Sequence, residues 1–313
     1  PQLPLFLGTI KSGFDLATRH WWLGILPFMI DMLLWLGPRL NYQKLGRAYI
    51  DFWLSQMDSA EFSQPIPLEQ FYSILEQSNL FSALSAPFFG VPTLLSGIAQ
   101  TDTPIATGMI LLDSWRSFGV NWLLIGMTSM LLSTIYFSLI AQVVQKEQVD
   151  WAYFGRNLLP NTVRLTVLTI IVFIALIALL FLLTLVATIA GLLNQILTFV
   201  VLIGGAVVVM WGIIRFSFSS QALFLQNLSP LRAVGASMQI VKHQFIQVFP
   251  LLFFVVLIRN VTDSLWLLAY DGSWLVLVSL AGHAFIATAL VAAMFIIFHK
   301  LTMMQDRKPV LAK

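Results

Sequence analysis

The chain has 313 residues, of which 58% are hydrophobic and only 10% are charged, with a formal net charge of +3. A soluble domain carries about 25% charged residues, so this composition excludes a soluble enzyme, a disordered chain and a nucleic-acid-binding protein that depends on a basic face. Cysteine is absent, which excludes disulfide bonds and thiolate metal sites. We therefore expect lipid to be the main solvent of the chain.

Six stretches are apolar enough to cross a membrane as helices, because a hydrocarbon core about 30 Å thick requires roughly 20 apolar residues. In chain order they are residues 21–37, 119–143, 162–191, 195–218, 246–270 and 274–299. The first is the shortest and contains Asp31. We predict an all-α polytopic membrane protein whose six transmembrane helices form three hairpins, preceded by amphipathic surface helices.

The distribution of lysine and arginine predicts the orientation. Basic residues such as Lys146, Arg156 and Lys300 lie on one side of the predicted spans, while the short turns on the other side have none. Because basic loops face the cytoplasm, we predict that both termini are cytoplasmic, in what we expect to be a bacterial cytoplasmic membrane. The chain then consists of a cytoplasmic segment with the first span (1–37), an extracytoplasmic helical insertion (38–118), a five-span bundle (119–299) and a basic tail (300–313).

The predicted insertion combines helical and irregular segments. Residues 41–57 and 68–84 have apolar residues at helical spacing and predict amphipathic helices, with a polar turn at 58–67 between them. Residues 86–95 are strongly apolar but too short to cross the membrane. They could be interfacial, re-entrant or part of a partner contact. The insertion as a whole is either a cap lying flat on the bundle or a docking or ligand-gating element.

The segments before the first and last hairpins are similar to each other. Residues 12–34 align without gaps with residues 235–257, so that a basic residue followed by histidine coincides in both and Pro27 coincides with Pro250. The corresponding middle segment, 150–168, is only loosely similar. We interpret the pattern as a helix on the inner membrane surface that turns into the bilayer, where proline tolerates a kink.

The sequence SPLRAVGASMQIVKHQF, residues 229–245, runs into a span that contains Pro250. In this respect the chain resembles a large family of bacterial six-span proteins, which is similar to the membrane region fused to some glycerophosphodiester phosphodiesterases. The resemblance covers about residues 140–300. It implies an all-helical membrane fold and no activity of its own, and the phosphodiesterase barrel is not part of this sequence.

Ionisable residues inside the predicted spans cost about 2.5–3.5 kcal/mol each and need partners or water. Arg259 and Asp263 are four residues apart in the fifth span, the spacing of an intrahelical ion pair. The short turn that follows brings His283 of the sixth span to the same depth, and Asp31 lies in the outer half of the first. We predict that these four residues, with Asn260, form one polar cluster facing the bundle interior.

The sequence leaves several roles open for this cluster. It could bind an anionic headgroup or another polar ligand, relay protons, or only fix helix packing as a neutralised pair. The small residues Ser279, Gly282 and Ala284 beside His283 also leave room for a flat macrocycle such as a haem, which one imidazole can ligate axially. No other metal site and no cofactor is predicted.

The sequence contains no recognised catalytic motif, which favours a non-enzymatic membrane protein. The first hypothesis is an accessory or scaffold subunit that contacts a membrane-protein partner through residues 38–118 and lipids through its helices. The alternative is a transporter or lipid-handling protein that uses the polar cluster. A third hypothesis is a pigment- or haem-binding subunit that uses His283. A nucleic-acid partner is not expected.

Overall fold

The computed structural model describes residues 5–56, 68–85, 89–96, 103–105, 107–268 and 273–307, and most of them are helical. The helices are α1 (Leu5–Arg19), α2 (Ile25–Leu36), α3 (Gln43–Ser55), α4 (Leu68–Glu76), α5 (Trp115–Lys146), α6 (Trp151–Leu193), α7 (Gln195–Phe216), α8 (Ser219–Leu225), α9 (Pro230–His243), α10 (Phe245–Leu267) and α11 (Val276–Arg307). Short 3-10 helices occupy Trp21–Gly24 and Leu80–Leu84, and short strands form β1 (Arg39–Asn41) and β2 (Met109–Leu111).

Within the described residues, five helical segments are long and apolar enough to cross a membrane. They are Trp115–Lys146, Trp151–Leu193, Gln195–Leu225, Phe245–Leu267 and Val276–Met304. Along the second and third of these, most leucine, isoleucine and valine side chains are exposed. Apolar surfaces of this extent are not stable in water. The helical membrane class is therefore confirmed, and the chain is an integral membrane protein.

The predicted first span forms a shorter structure than the other five. It consists of the 3-10 helix Trp21–Gly24 and then α2, which has 12 residues. A helix of this length rises only about 18 Å, less than the hydrocarbon core of about 30 Å. Helix length alone therefore supports five crossings, with Trp21–Leu36 as an additional shorter apolar helix.

The surface helices predicted before the three hairpins have different outcomes. Both α1 and α9 are separate helices of 15 and 14 residues that end in basic residues. The segment before the third predicted span is not separate, because α6 continues for 43 residues through Pro160. The proline removes one hydrogen bond from the helix, and the residues on both sides of it remain helical.

Contacts divide the chain into two compact units. Unit 1 contains Pro1–Leu23, Thr134–Arg259 and Ala289–Lys313, and unit 2 contains Gly24–Ser133 and Asn260–Thr288.

Unit 1 is built around the α6–α7 hairpin and the helices that pack near it. Asn194 ends α6 and begins α7, and its side chain accepts a hydrogen bond from the Ile196 amide at 2.7 Å. A Cβ atom at Gly205 would overlap with the side chain of Leu183. The two helices therefore approach each other closely here, and a larger residue at position 205 would have to displace the Leu183 side chain. The neighbouring Gly204 is exposed and has open space around it.

Unit 2 contains the insertion, whose organisation is set by one buried asparagine. Asn41 is in β1, which pairs in parallel with β2. Its Nδ2 donates to the carbonyl oxygens of Glu76 at 2.8 Å and Ser78 at 3.1 Å, and its Oδ1 accepts from the Gln43 amide at 2.7 Å. The helix predicted from residue 41 therefore begins at Gln43, and the insertion is not entirely helical.

The second predicted helix of the insertion, 68–84, is divided into α4 and the 3-10 helix Leu80–Leu84. Asn79 lies between them, and its Oδ1 accepts hydrogen bonds at 3.2 Å from the amides of Leu40 and Phe81. These bonds fix the break between the two helices, because a side-chain acceptor competes with the helical backbone pattern. The predicted turn at 58–67 lies outside the described residues.

Candidate functional site

A buried segment without regular secondary structure lies at the centre of unit 2. Residues 89–96 form neither helix nor strand, and residues 91–95 are all buried. The 3-10 helix that precedes this segment ends at Leu84, whose carbonyl oxygen accepts a hydrogen bond from Ser129 Oγ at 2.7 Å. Ser129 lies about 21 Å along α5 from Trp115. Residues 80–84 thus pack beside the middle of α5, and this part of the insertion does not lie flat on a surface.

Asp31 of α2 holds the irregular segment through its backbone. The side chain is 0% exposed. Its carboxylate accepts hydrogen bonds from the amide of Leu94 at 2.9 and 3.0 Å and from the amide of Leu95 at 3.0 Å. Buried backbone amides require acceptors, and an ionised carboxylate is a strong one. Asp31 therefore supplies the hydrogen bonds that regular secondary structure would otherwise provide.

Asp263 and His283 form a hydrogen-bonded pair between α10 and α11. The distance from His283 Nδ1 to Asp263 Oδ1 is 2.8 Å, and the His283 side chain is almost fully buried while that of Asp263 is partly exposed. Asp31 interacts electrostatically with both residues. The structure thus brings together three of the residues that the sequence grouped, and we refer to Asp31, Asp263 and His283 as the acidic–histidine cluster.

The other two residues of the predicted cluster have a different environment. Arg259 and Asn260 are exposed on α10, whereas Asp31 and His283 are buried and Asp263 is partly exposed. The backbone carbonyl of Asn260 accepts a hydrogen bond from Ser264 Oγ at 2.8 Å. The spacings of Arg259 and Asn260 from Asp263, four and three residues, place both on the same side of α10 as Asp263, so they differ from the cluster in exposure and not in helix face.

Several buried polar atoms of unit 2 have no hydrogen-bond partner among the described residues. They include His283 Nε2, Thr93 Oγ1, Trp35 Nε1 and Trp266 Nε1. Each such atom costs about 1–3 kcal/mol. Sequence reasoning did not include Thr93 or the two tryptophans. The sequence did contain an indication of these residues, because an indole N–H or a hydroxyl group inside an apolar stretch needs a hydrogen-bond partner.

The residues beside His283 do not fit a flat macrocycle. A Cβ atom at Gly282 would overlap with the indole ring of Trp266, so the space that a small residue leaves is already filled. Ser279 and Ala284 are buried as well. A haem at this position would require displacement of Trp266. In the part of the chain that the structure describes, there is also no group of three or more histidine and acidic residues that could hold a metal ion.

The outer surface of the insertion carries an exposed aromatic face, which we define as Tyr49, Phe52 and Trp53 of α3 with Phe71 and Ile74 of α4. The spacings of three and four residues place each group on one side of its helix. These side chains are exposed although α3 and α4 contact each other. The aromatic face is therefore available to another molecule or to the membrane surface.

Polar contacts beside the aromatic face connect α3 to α4. Arg47 forms an ion pair with Glu76, and the guanidinium group of Arg47 also lies over the Tyr72 ring at 5.1 Å. Tyr72 donates a hydrogen bond to Asp51 at 2.7 Å. This bond stabilises the neutral phenol and raises the pKa of Tyr72 above its ordinary value.

Comparisons of this chain with protein-family models, with curated proteins and with solved structures find no match.

Proposed function

We propose that the protein is a membrane transporter for a small polar solute, with the acidic–histidine cluster as the site that binds the solute or a coupled proton. The supporting observation is that buried polar atoms of unit 2, above all His283 Nε2, have no hydrogen-bond partner in the described part of the chain and lie in the same unit as a buried irregular segment. Ionisable groups in a membrane protein are expensive. A cluster that served only packing would be expected to have all its polar atoms paired.

The irregular segment supports transport more than passive scaffolding. Non-helical backbone at membrane depth is tolerated only where protein buries it or where it lines a cavity, and transporters commonly build their sites from such segments. Residues 89–96 meet this description because they pack inside unit 2 and are held by Asp31 of α2. In this conformation Asp31 is 0% exposed and His283 is 1% exposed, so solvent does not reach either side chain.

The proposed site couples proton binding to movement of the irregular segment. With Asp263 ionised, His283 donates from Nδ1, and its Nε2 offers a lone pair when the ring is neutral or an N–H when it is protonated. Protonation of Asp31 would weaken its bonds to the amides of Leu94 and Leu95, because a neutral acid is a poorer acceptor than a carboxylate. The segment would then be held less tightly, which would favour opening of the site.

The proposed topology has six crossings with both termini in the cytoplasm, the first crossing being made by the 3-10 helix Trp21–Gly24 and α2 together. In unit 2, Trp35 of α2 stacks edge to face on Trp274, just before α11 begins, with ring centroids 5.7 Å apart. The end of α2 thus packs beside the start of α11. A helix broken at Gly24 can cross a bilayer where neighbouring helices satisfy its backbone.

Proton-coupled uptake tests the transport proposal. The purified protein is reconstituted in vesicles that contain the pH-sensitive dye pyranine, and amino acids, dipeptides, hexoses and dicarboxylates are added in turn. We expect at least one solute class to drive proton entry, and His283→Gln and Asp31→Asn to abolish it. The control is His243→Gln, because His243 is exposed at the end of α9. If no solute moves protons with the wild-type protein, the proposal is wrong.

The exposed aromatic face favours a second function, an accessory or scaffold subunit that binds a membrane-protein partner through residues 38–118. Large aromatic side chains outside the candidate spans are typical of protein interfaces. Cross-linking and affinity purification in mild detergent should recover one stoichiometric membrane-protein partner with the wild type and lose it with Phe52→Ser. Equal recovery with the variant, or no stoichiometric partner, would argue against this function.

A further inference from the structure

A polar cavity lies in unit 1 where α5 ends and α6 begins. Its volume is about 180 Å³. Among the described residues that line it, five are asparagine or glutamine, and Lys146 is the charged one. Lys146 ends a candidate span and the exposed Trp151 begins the next. A lysine and a tryptophan at the ends of membrane helices are typical of the headgroup region, so the cavity opens at the level of the lipid headgroups.

Two buried donors belong to residues that line the cavity, and the position of one of them, in Gln142, is fixed by a hydrogen bond. Oε1 of Gln142 accepts a hydrogen bond from the Asp150 amide at 2.8 Å, which leaves Nε2 as the free donor end of the side chain. Neither Gln142 Nε2 nor Ser138 Oγ has a hydrogen-bond partner among the described residues, although both residues line the cavity and are only 7% exposed. An incoming acceptor would satisfy both donors.

The lining residues of α5 form a stripe of donors with increasing charge. Ser138, Gln142 and Lys146 are spaced by four residues, so they lie on one face of the helix. The stripe runs from a buried hydroxyl, through a buried amide, to an exposed ammonium group. A ligand that matches it has several acceptor oxygens and a negative charge.

The surrounding charges agree with an anionic ligand. Asn227 also lines the cavity, and its side chain is bound by Arg164, which places a second cation beside the cavity. The nearby carboxylate of Asp150 accepts a hydrogen bond from the Tyr153 amide at 2.9 Å and is thereby engaged at the start of α6. No acidic residue is among the described lining residues.

We propose that this cavity binds a phosphate anion, either the phosphodiester of an anionic phospholipid or a free phosphate. Phosphate combines one or two negative charges with several acceptor oxygens, and amide, hydroxyl and ammonium donors are its usual protein partners. Arg164 and Lys146 supply the charge, while Gln142 Nε2 and Ser138 Oγ supply the directional bonds. The site stands independently of the transport proposal, because it uses residues of unit 1 alone.

Two substitutions separate the charge from the directional donor. Lys146→Gln removes the cation at an exposed position. Gln142→Glu keeps an oxygen for the Asp150 amide but replaces the free donor with a second acceptor. Each is expected to weaken binding by about tenfold or more, since hydrogen bonds to charged groups are among the strongest in proteins. Lys242→Gln, at an exposed lysine of α9 that does not line the cavity, is the matched control.

Binding is measured in two arms with the intact protein in detergent. Native mass spectrometry follows phosphatidylglycerol and phosphatidylcholine binding, and ligand-observed phosphorus NMR follows inorganic phosphate. Loss of phosphatidylglycerol binding in the two variants identifies the phospholipid source, and loss of phosphate binding identifies the free anion. If neither ligand binds the wild type, or if both variants bind as tightly as Lys242→Gln, the proposal is overturned.

Two further checks distinguish loss of the binding site from unfolding of a variant. The thermal midpoint of each variant is compared with that of the wild type. Lys146→Arg restores the cation, so it should bind within about threefold of the wild type while Lys146→Gln does not. Equal weakening in Lys146→Arg and Lys146→Gln would contradict a role for the charge.

Discussion

Replacement of Asp31 by alanine should release the irregular segment 89–96 from unit 2. The substitution leaves the amides of Leu94 and Leu95 without their acceptor. An unsatisfied buried donor costs about 1–3 kcal/mol, so two of them cost about 2–6 kcal/mol locally. The removal of a buried carboxylate offsets part of this cost, because its desolvation penalty also disappears.

Hydrogen–deuterium exchange measures this release directly. A local loss of about 2 kcal/mol corresponds to about 30-fold faster exchange, since each 1.4 kcal/mol is a factor of ten. Peptides that cover residues 89–96 should show this increase in Asp31→Ala, while peptides from α6 should be unchanged. Asp31→Asn should have a smaller effect, because its remaining oxygen can accept from both amides.

The control for the exchange experiment replaces an acidic residue of another helix. Asp15 is an exposed acidic residue of α1, and Asp15→Ala should leave exchange in 89–96 at the wild-type rate. If Asp31→Ala also leaves it unchanged while the thermal midpoint stays the same, Asp31 does not hold the segment. The proposed link between protonation of Asp31 and opening of the site would then have no basis.

Three further predictions concern the framework around the sites. Asn41→Ala should lower the stability of the insertion by about 2–4 kcal/mol, because several buried backbone groups lose their partner, and limited proteolysis within residues 43–78 should become faster than in the wild type. Gly205→Val should lower the thermal midpoint through overpacking, at a cost of about 1–3 kcal/mol, whereas Gly204→Val faces open space and should not. Asp51→Asn should lower the pKa of Tyr72, whose neutral form the wild-type bond favours, and ultraviolet titration of the phenolate should begin at lower pH; equal titration curves would count against that bond.

The long apolar helices could be predicted from the sequence, because hydrophobic side chains in sufficient number have no alternative to lipid. The bounds of α6 could not be predicted in this way. An aromatic residue, a basic residue and a proline in this order are compatible with a chain that turns into the bilayer and equally with one continuous helix. Asn41 shows a second limit. Its role depends on carbonyl groups about 35 positions away, and periodicity carries no information about such bonds.

The contacts of the acidic–histidine cluster could be predicted only in part from the sequence. The hydrogen bond between Asp263 and His283 joins two ionisable groups, and such groups stand out in an apolar sequence. The hydrogen-bond partners of Asp31 are backbone amides 63 and 64 positions away. Every residue except proline has such an amide, so no residue type could have identified them. Partners of this kind are visible only in the folded chain.

The Asp263→Asn substitution tests whether the carboxylate fixes the tautomer of His283. An ionised Asp263 can only accept, so it requires the proton of a neutral His283 ring to be on Nδ1, 2.8 Å away, and leaves Nε2 deprotonated. An asparagine amide can instead donate to Nδ1, which moves the ring proton to Nε2. Nitrogen NMR of the histidine-labelled protein should then show the two His283 resonances exchange places, while those of the exposed His243 stay unchanged.

This change of tautomer has a functional consequence that a purely structural pair would lack. With its proton on Nε2, His283 can no longer accept a proton at the free nitrogen, so proton-coupled uptake should be lost although the fold is intact. If His283 keeps its wild-type tautomer in Asp263→Asn, the carboxylate does not set the proton position. The pair would then hold α10 against α11 without taking part in proton transfer, and the proton step would have to be carried by Asp31 alone.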